Sequence, residues 1–373
     1  MNQIPAKSRY APRRLAATLA ALGAIFAFMV AATPAGAASR DFYGIVPVAG
    51  PSPEEFTTMA DAGVGTYRFQ LSWATVQPSE GAAYDFSSVD ERVRDAALAG
   101  LQPFPFLYGS PDFISGSRRH PAVDNEEDKQ AWREFVTASV ERYGPGGAFW
   151  TEFETENPGV APQPFDAYQI LNEQNSPSYY EPKPSVKDYA EVLDIAHDAI
   201  VDVDPGADVV LGGMFGTPGR HTAIYSWKYL RKLYKEGAKQ NFDAVALHPY
   251  SPNLKGIEAQ IELVRKQMKK SKDAKTPIWI TEIGWGSAGS GGHELIKSTG
   301  GQKKMLQKSF KLLRSKKGKW KIRRLMWFTW RDTGNPSDPV GVTCTWCASA
   351  GLLDENLDPK PSFDAFTKFA KGG

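Results

Sequence analysis

FDAYQILNEQN, residues 165–175, is an apolar run of strand character that ends in a carboxylate, Glu173. A second run, TPIWITEIGW at residues 276–285, presents Glu282 in the same way. Two acidic side chains closing two buried strands far apart in sequence are what a pair of catalytic carboxylates converging at one end of a barrel requires. Taken singly, each could equally cap the next helix or pair with a basic side chain.

Working outward from these two runs, apolar stretches of strand length recur near residues 42–48, 65–71, 101–108, 165–171, 208–214, 242–247, 277–282 and 323–330. Most are nearly continuous in apolar residues, as strands of a parallel sheet buried on both faces are. Helix starts lie between them. Ser52-Pro53-Glu54-Glu55 sets a capping serine before an N1 proline and an N3 glutamate, and Ser87 and Ser185 each have an aspartate three residues on. Gly63, Gly100 and Gly237 supply the matching stops. Strand alternating with helix eight times predicts an α/β fold, a (β/α)8 TIM barrel forming a single catalytic domain over residues 38–373, with its site at the C-terminal ends of the strands. The other strand ends agree with that placement. The second carries Arg68 and ends near Trp73, the sixth ends in His248 and Tyr250 on one side of the strand, and the eighth runs into Trp330, Arg331 and Asp332.

Residues 1–37 read as a secretory signal peptide: Lys7, Arg9, Arg13 and Arg14, then an apolar run over residues 15–30, then Ala35-Gly36-Ala37 as a cleavage site. An uncleaved membrane anchor is the alternative for this run, and no other stretch is apolar enough to span a bilayer. Cleavage would remove four positive charges and no negative one, turning the formal net charge of +2 into −2. A weakly acidic mature chain argues against nucleic acid as a partner, and the expected location is secreted or in the cell envelope, with no membrane contact after cleavage. The only cysteines, Cys344 and Cys347 in CTWC, read as a local disulfide in an exported protein, with a thioredoxin-like redox pair as the alternative.

The chain resembles the clan A retaining glycoside hydrolases, and three of its motifs carry the likeness toward family 39, with family 5 as a near alternative: RYGPGG at residues 142–147, LNEQN at 171–175 and ALHPY at 246–250. The resemblance implies a (β/α)8 barrel with Glu173 as acid/base and Glu282 as nucleophile. It also implies that Asn172 bonds the sugar 2-hydroxyl, that Arg68 and Tyr250 hold the nucleophile, and that His248 and Trp330 line the subsite of the sugar under attack. Gln174 departs from the pattern, which has proline after the acid/base glutamate.

Trp73, Tyr179, Tyr180, Trp285 and Trp346 are rim aromatics that either stack on sugar or pack within loops. GSAGSGG, residues 286–292, has the composition of a mobile flap or a plain surface loop. Basic residues recur over 303–324 with no acidic one between them, as on a solvated helix face or a site for an anionic envelope polymer. The five histidines show no metal-ligand spacing and no glycine loop cradles phosphate, so no cofactor and no metal are implied. The expected protein is a monomeric, secreted β-glycosidase acting on a β-linked carbohydrate. A transglycosylase using the same glutamates and a non-catalytic polysaccharide-binding barrel are the alternatives.

Overall fold

Eight parallel strands close a barrel in chain order: β1 (Tyr43–Ile45), β2 (Thr66–Ser72), β3 (Gln102–Tyr108), β4 (Ala167–Asn172), β5 (Asp208–Phe215), β6 (Val245–His248), β7 (Ile278–Ile283) and β8 (Ile322–Trp327). A principal helix follows each in turn: α1 (Pro53–Asp61), α2 (Ser87–Leu98), α3 (Glu126–Tyr143), α4 (Val186–Val203), α5 (Ser226–Lys235), α6 (Leu254–Lys270), α7 (Thr299–Ser315) and α8 (Pro361–Ala370). The structure is a computed structural model that describes residues 40–217, 222–289, 292–335 and 343–372. The expected signal peptide, residues 1–37, lies outside the described residues. None of the described helices is long and apolar enough to cross a membrane.

Local chemistry sets the boundaries. The Ser52 hydroxyl accepts from the Glu55 amide while the Glu55 carboxylate accepts from the Ser52 amide, closing the capping box that starts α1. Ser185 caps α4 in the expected way. Ser87 does not cap α2. It is the first helical residue, its amide donates to Asp85, and Asp90 instead takes Arg142 and the Tyr143 hydroxyl from α3. Gly63, Gly100 and Gly237 stop their helices in the left-handed region, at φ of 86°, 69° and 85°. Prolines 103 and 105 lie two apart in β3 and so withhold amide donors from one neighbour. The strand pairs with β2 along its whole length but meets β4 only at Phe106 and Leu107.

The barrel floor is filled by unequal partners. Ala167, Ala244 and Ala246 leave room for Phe104 and Trp279, whose rings meet edge to face with centroids 5.1 Å apart. Arg324 lies 4.2 Å from the centre of the Trp279 ring and is ion-paired to Asp166, so this member of the basic run is buried. Lys317 lies over the Phe42 ring, 4.3 Å from its centre, while the α7 part of the run is a solvated face. α7 buries Leu306, Phe310 and Leu313 and leaves Lys304, Lys308 and Lys311 exposed. The expected disulfide is present, with the Cys344 and Cys347 Cα atoms 5.3 Å apart.

Removing the floor ring tests this packing. Trp279→Ala should destabilise the protein by about 3–5 kcal/mol, the usual range for emptying an aromatic core site. Urea unfolding measures it, and a loss under about 1 kcal/mol would mean that the floor collapses around the gap.

Candidate active site

Both glutamates reach the C-terminal mouth of the barrel, and each is held by a different set of partners. Arg68 on β2 is fully buried. Its Nη1 donates to Glu282 Oε1 at 2.8 Å, its Nη2 to Asn172 Oδ1 at 2.8 Å and its Nε to Gln169 Oε1 at 3.0 Å. The Tyr250 hydroxyl donates to Glu282 Oε2 at 2.8 Å, so both oxygens of that carboxylate accept a hydrogen bond. Burial works against the charge on Arg68 and lowers its pKa, and Glu282 offsets part of that penalty. Burial and the nearby Glu282 hold the Tyr250 phenol well above its ordinary range, so it acts as a neutral donor.

Glu173 sits where β4 ends. Strand alternation would send Asn172 and Glu173 to opposite faces, but both line the cleft. Leu171 and Glu173 adopt positive φ, 61° and 46°, and this left-handed backbone breaks the alternation. Such a conformation costs roughly 1–3 kcal/mol per non-glycine residue and persists only where its surroundings hold it. His248, fully buried at the end of β6, is part of that hold. Its Nδ1 lies 2.8 Å from Glu173 Oε1 and its Nε2 3.0 Å from the Thr281 hydroxyl. Burial first, and Arg68 second, keep the imidazole neutral well below its ordinary range. Neighbouring β5 makes room for it, since a Cβ on Gly213 would lie 2.0 Å from His248 Nε2. One oxygen of each glutamate and one His248 nitrogen lie within 4.8 Å of one another. Among the described residues this trio alone has the donors and spacing for a metal ion, but both Glu282 oxygens already accept from Arg68 and Tyr250.

The cleft above them encloses about 530 Å³. Arg68, Asn172, Glu173, Tyr250 and Glu282 line it, with His248 behind them. Trp73 and Trp330 depart from expectation. β2 ends at Ser72, so Trp73 opens a one-turn helix and lays its ring on Phe135 of α3, fully buried and off the cleft. β8 ends at Trp327, and the Trp330 carbonyl accepts from the Leu352 and Leu353 amides, which turns the ring against Phe363 of α8. Phe328 lines the cleft in its place. Of the rim aromatics, Tyr179 and Trp346 face the cleft, while Tyr180 and Trp285 are core residues, the latter with its indole N–H on the Ser251 carbonyl. The glycine-rich segment is anchored at its start: the Gly286 amide donates to Leu295 and the Ser287 amide to Ser349, and residues 290 and 291 lie outside the described residues. Gln169, Phe106 and Phe328 were not legible as site residues. Gln169 did carry a signal, a lone amide inside an apolar strand.

The neutral His248 has a consequence for stability. Below about pH 6.5 the unfolded chain protonates this imidazole and the folded chain does not, so folding loses stability as pH falls through that value. The loss should approach about 1.4 kcal/mol per pH unit from this group and be missing in His248→Asn. Urea midpoints of both proteins at pH 7 and pH 5 measure it, and equal slopes would rule out the neutral imidazole.

Known proteins place the site in context. Residues 173–343 match the family model described as the glycosyl hydrolase catalytic core. No curated protein matches the chain. Among solved structures, a family 39 glycoside hydrolase from the gut symbiont Bacteroides cellulosilyticus WH2 aligns over 89% of this chain and 64% of its own, at 19% identity and a TM-score of 0.64. The chain thus spans less than two thirds of that protein's length. A monomeric β-xylosidase from Caulobacter crescentus CB15 aligns over 90% of this chain and 69% of its own, at 20% identity and a TM-score of 0.66. Xylanase 10B from Thermotoga maritima aligns over 89% and 95%, at 16% identity and a TM-score of 0.60. The chain is a closed (β/α)8 barrel, and residues 173–343 of it match the glycosyl hydrolase catalytic core.

Proposed function

We propose that the protein is a retaining β-glycosidase that works by double displacement, with Glu282 as nucleophile and Glu173 as acid/base. The observation that carries this reading is the unequal treatment of two carboxylates whose oxygens lie within 4.8 Å. Retaining enzymes hold the two groups about 5–5.5 Å apart, whereas inverting ones need about 6.5–9.5 Å to admit a water. Glu282, bonded to a guanidinium and a phenol, favours the ionised form that attacks the anomeric carbon. Glu173 meets the ring nitrogen of His248. Facing a neutral imidazole and the charge on Glu282, it favours the protonated form that donates to the leaving oxygen. When the glycosyl–enzyme ester forms, the charge on Glu282 disappears. Glu173, having given up its proton, then takes one from the water that attacks the ester, which frees the sugar with its configuration retained.

Two of the similar structures are named as a β-xylosidase and a xylanase, so aryl β-xylosides and xylan are the first substrates to assay. The basic start, apolar run and small-residue site of residues 1–37 support export. Secreted material should begin near Ala38 on N-terminal sequencing, and an intact Met1 on membrane-bound protein would instead mean an anchor.

The two glutamates can be told apart by what each variant still does. Glu173→Ala and Glu282→Ala should each lose about 10²–10⁴-fold in kcat. With a leaving group that needs no protonation, Glu173→Ala should still form the glycosyl–enzyme, and azide should release it as the β-glycosyl azide. Azide with Glu282→Ala should attack the substrate from the nucleophile's side and give the α-product. Full activity in either variant, or the two configurations exchanged, would overturn the assignment.

A further inference from the structure

The loop after β8 returns to the cleft as Cys344-Thr345-Trp346-Cys347, closed on itself by the disulfide, and all four residues line the cavity. Trp346 is 94% buried there, as its 6% relative exposure shows. Its ring meets Tyr250 edge to face at 4.8 Å and leans on Phe328 at 5.7 Å. Tyr250 is the residue that bonds Glu282. The indole is therefore one side chain removed from the carboxylate that would attack the sugar.

The loop is built to hold that ring in place. Within it, the Cys347 amide donates back to the Cys344 carbonyl at 3.1 Å, so the disulfide encloses a single tight turn with Trp346 on it. Behind it, the Ser349 carbonyl accepts from the Ser287 amide at 2.8 Å, the Ser287 hydroxyl at 3.0 Å, Lys360 Nζ at 3.1 Å and Gln302 Nε2 at 3.3 Å. Lys360 is itself buried and ion-paired to Asp332 at 2.7 Å. Gly286 presses so close that a Cβ there would lie 2.6 Å from the Trp346 carbonyl oxygen. Four donors thus converge on one carbonyl two residues beyond the disulfide, and Gly286 closes on the Trp346 backbone itself.

We infer that Trp346 is a specificity-determining wall of the sugar site, and that the Cys344–Cys347 disulfide, braced at Ser349, fixes its position. The inference rests on the glycosidase reading above. A wall that touches the sugar equally in the ground state and the transition state changes KM more than kcat.

The test uses the purified enzyme and the aryl β-glycoside that the wild type turns over fastest. Trp346→Ala should raise KM about tenfold, the effect of losing roughly 1.4 kcal/mol of contact, while kcat changes less than about threefold. Trp346→Phe, which keeps a ring, should recover most of the loss. Wild-type enzyme reduced with dithiothreitol, its two thiols verified by titration, should show a raised KM that reverses on reoxidation. That arm needs no substitution to fold. KM unchanged in Trp346→Ala, or kcat falling at constant KM, would overturn the wall. KM unchanged on verified reduction would overturn the disulfide's part. A wild type that turns over no aryl β-glycoside would overturn the glycosidase reading and this inference together, a result distinct from an active wild type with unaffected variants.

Discussion

The Arg68–Glu282 pair is the constraint around which the mouth of the barrel is arranged. Both groups are buried, and taking two charges out of water costs several kcal/mol per ion unless geometry and further hydrogen bonds compensate. The compensation draws on four strands or strand ends. β2 supplies Arg68, β4 supplies Gln169 and Asn172 as acceptors for two more of its N–H groups, β7 supplies Glu282, and the chain just after β6 supplies Tyr250. The Phe106 ring covers the guanidinium from 4.4 Å. Because Asn172 spends its carbonyl oxygen on Arg68, its N–H₂ is the group left for a ligand. One ion pair thereby orients two further polar groups that line the cleft, Asn172 and Tyr250.

Space is the second constraint. The Glu173 side of the site holds a fully buried imidazole, and two successive glycines of β5 clear space there, Gly213 for His248 and Gly212 for Gln174. A Cβ on Gly212 would lie 2.2 Å from Gln174 Oε1, just as one on Gly213 would meet His248. Interiors are packed densely enough that neither methyl could be absorbed without moving its neighbour. The left-handed residues flanking Asn172 belong to the same arrangement, since the backbone there is held by packing rather than by its own preference.

The rim is held from behind. Gln302 on α7 donates to the carbonyls of Trp285, Ser349 and Gly351 and accepts from Ser362 on α8. Lys360, immediately before α8, bonds Ser287, Asp332 and Ser349. The loops after β7 and β8 are thus tied to the C-terminal helix by buried polar side chains whose partners are all supplied, the condition under which such groups are tolerated in a core. Loops on this face carry function on other (β/α)8 barrels as well, because they can vary while the strands beneath stay rigid.

The sequence by itself determined the strand and helix order, the barrel, and the placement of Glu173 and Glu282 at strand ends. Those follow from local rules, namely apolar runs of strand length, a capping box and glycine stops, and a carboxylate closing a buried strand has no other natural place than the mouth. Local pattern also pointed to His248 and Tyr250, although only His248 lies in β6 and Tyr250 follows two residues beyond it. It failed at Trp73 and Trp330, because both lie just past the last strand residue. There alternation no longer applies, and the contacts that aim the ring come from distant segments, Phe135 on α3 and Phe363 on α8. Ser87 failed similarly, displaced from its cap when Asp90 was drawn to Arg142 and Tyr143. Only the tertiary structure decided which glycines clear space, which aromatics face the cleft and which donors bind each oxygen of Glu282. These are relations between residues tens to hundreds of positions apart, and no window of sequence contains both partners.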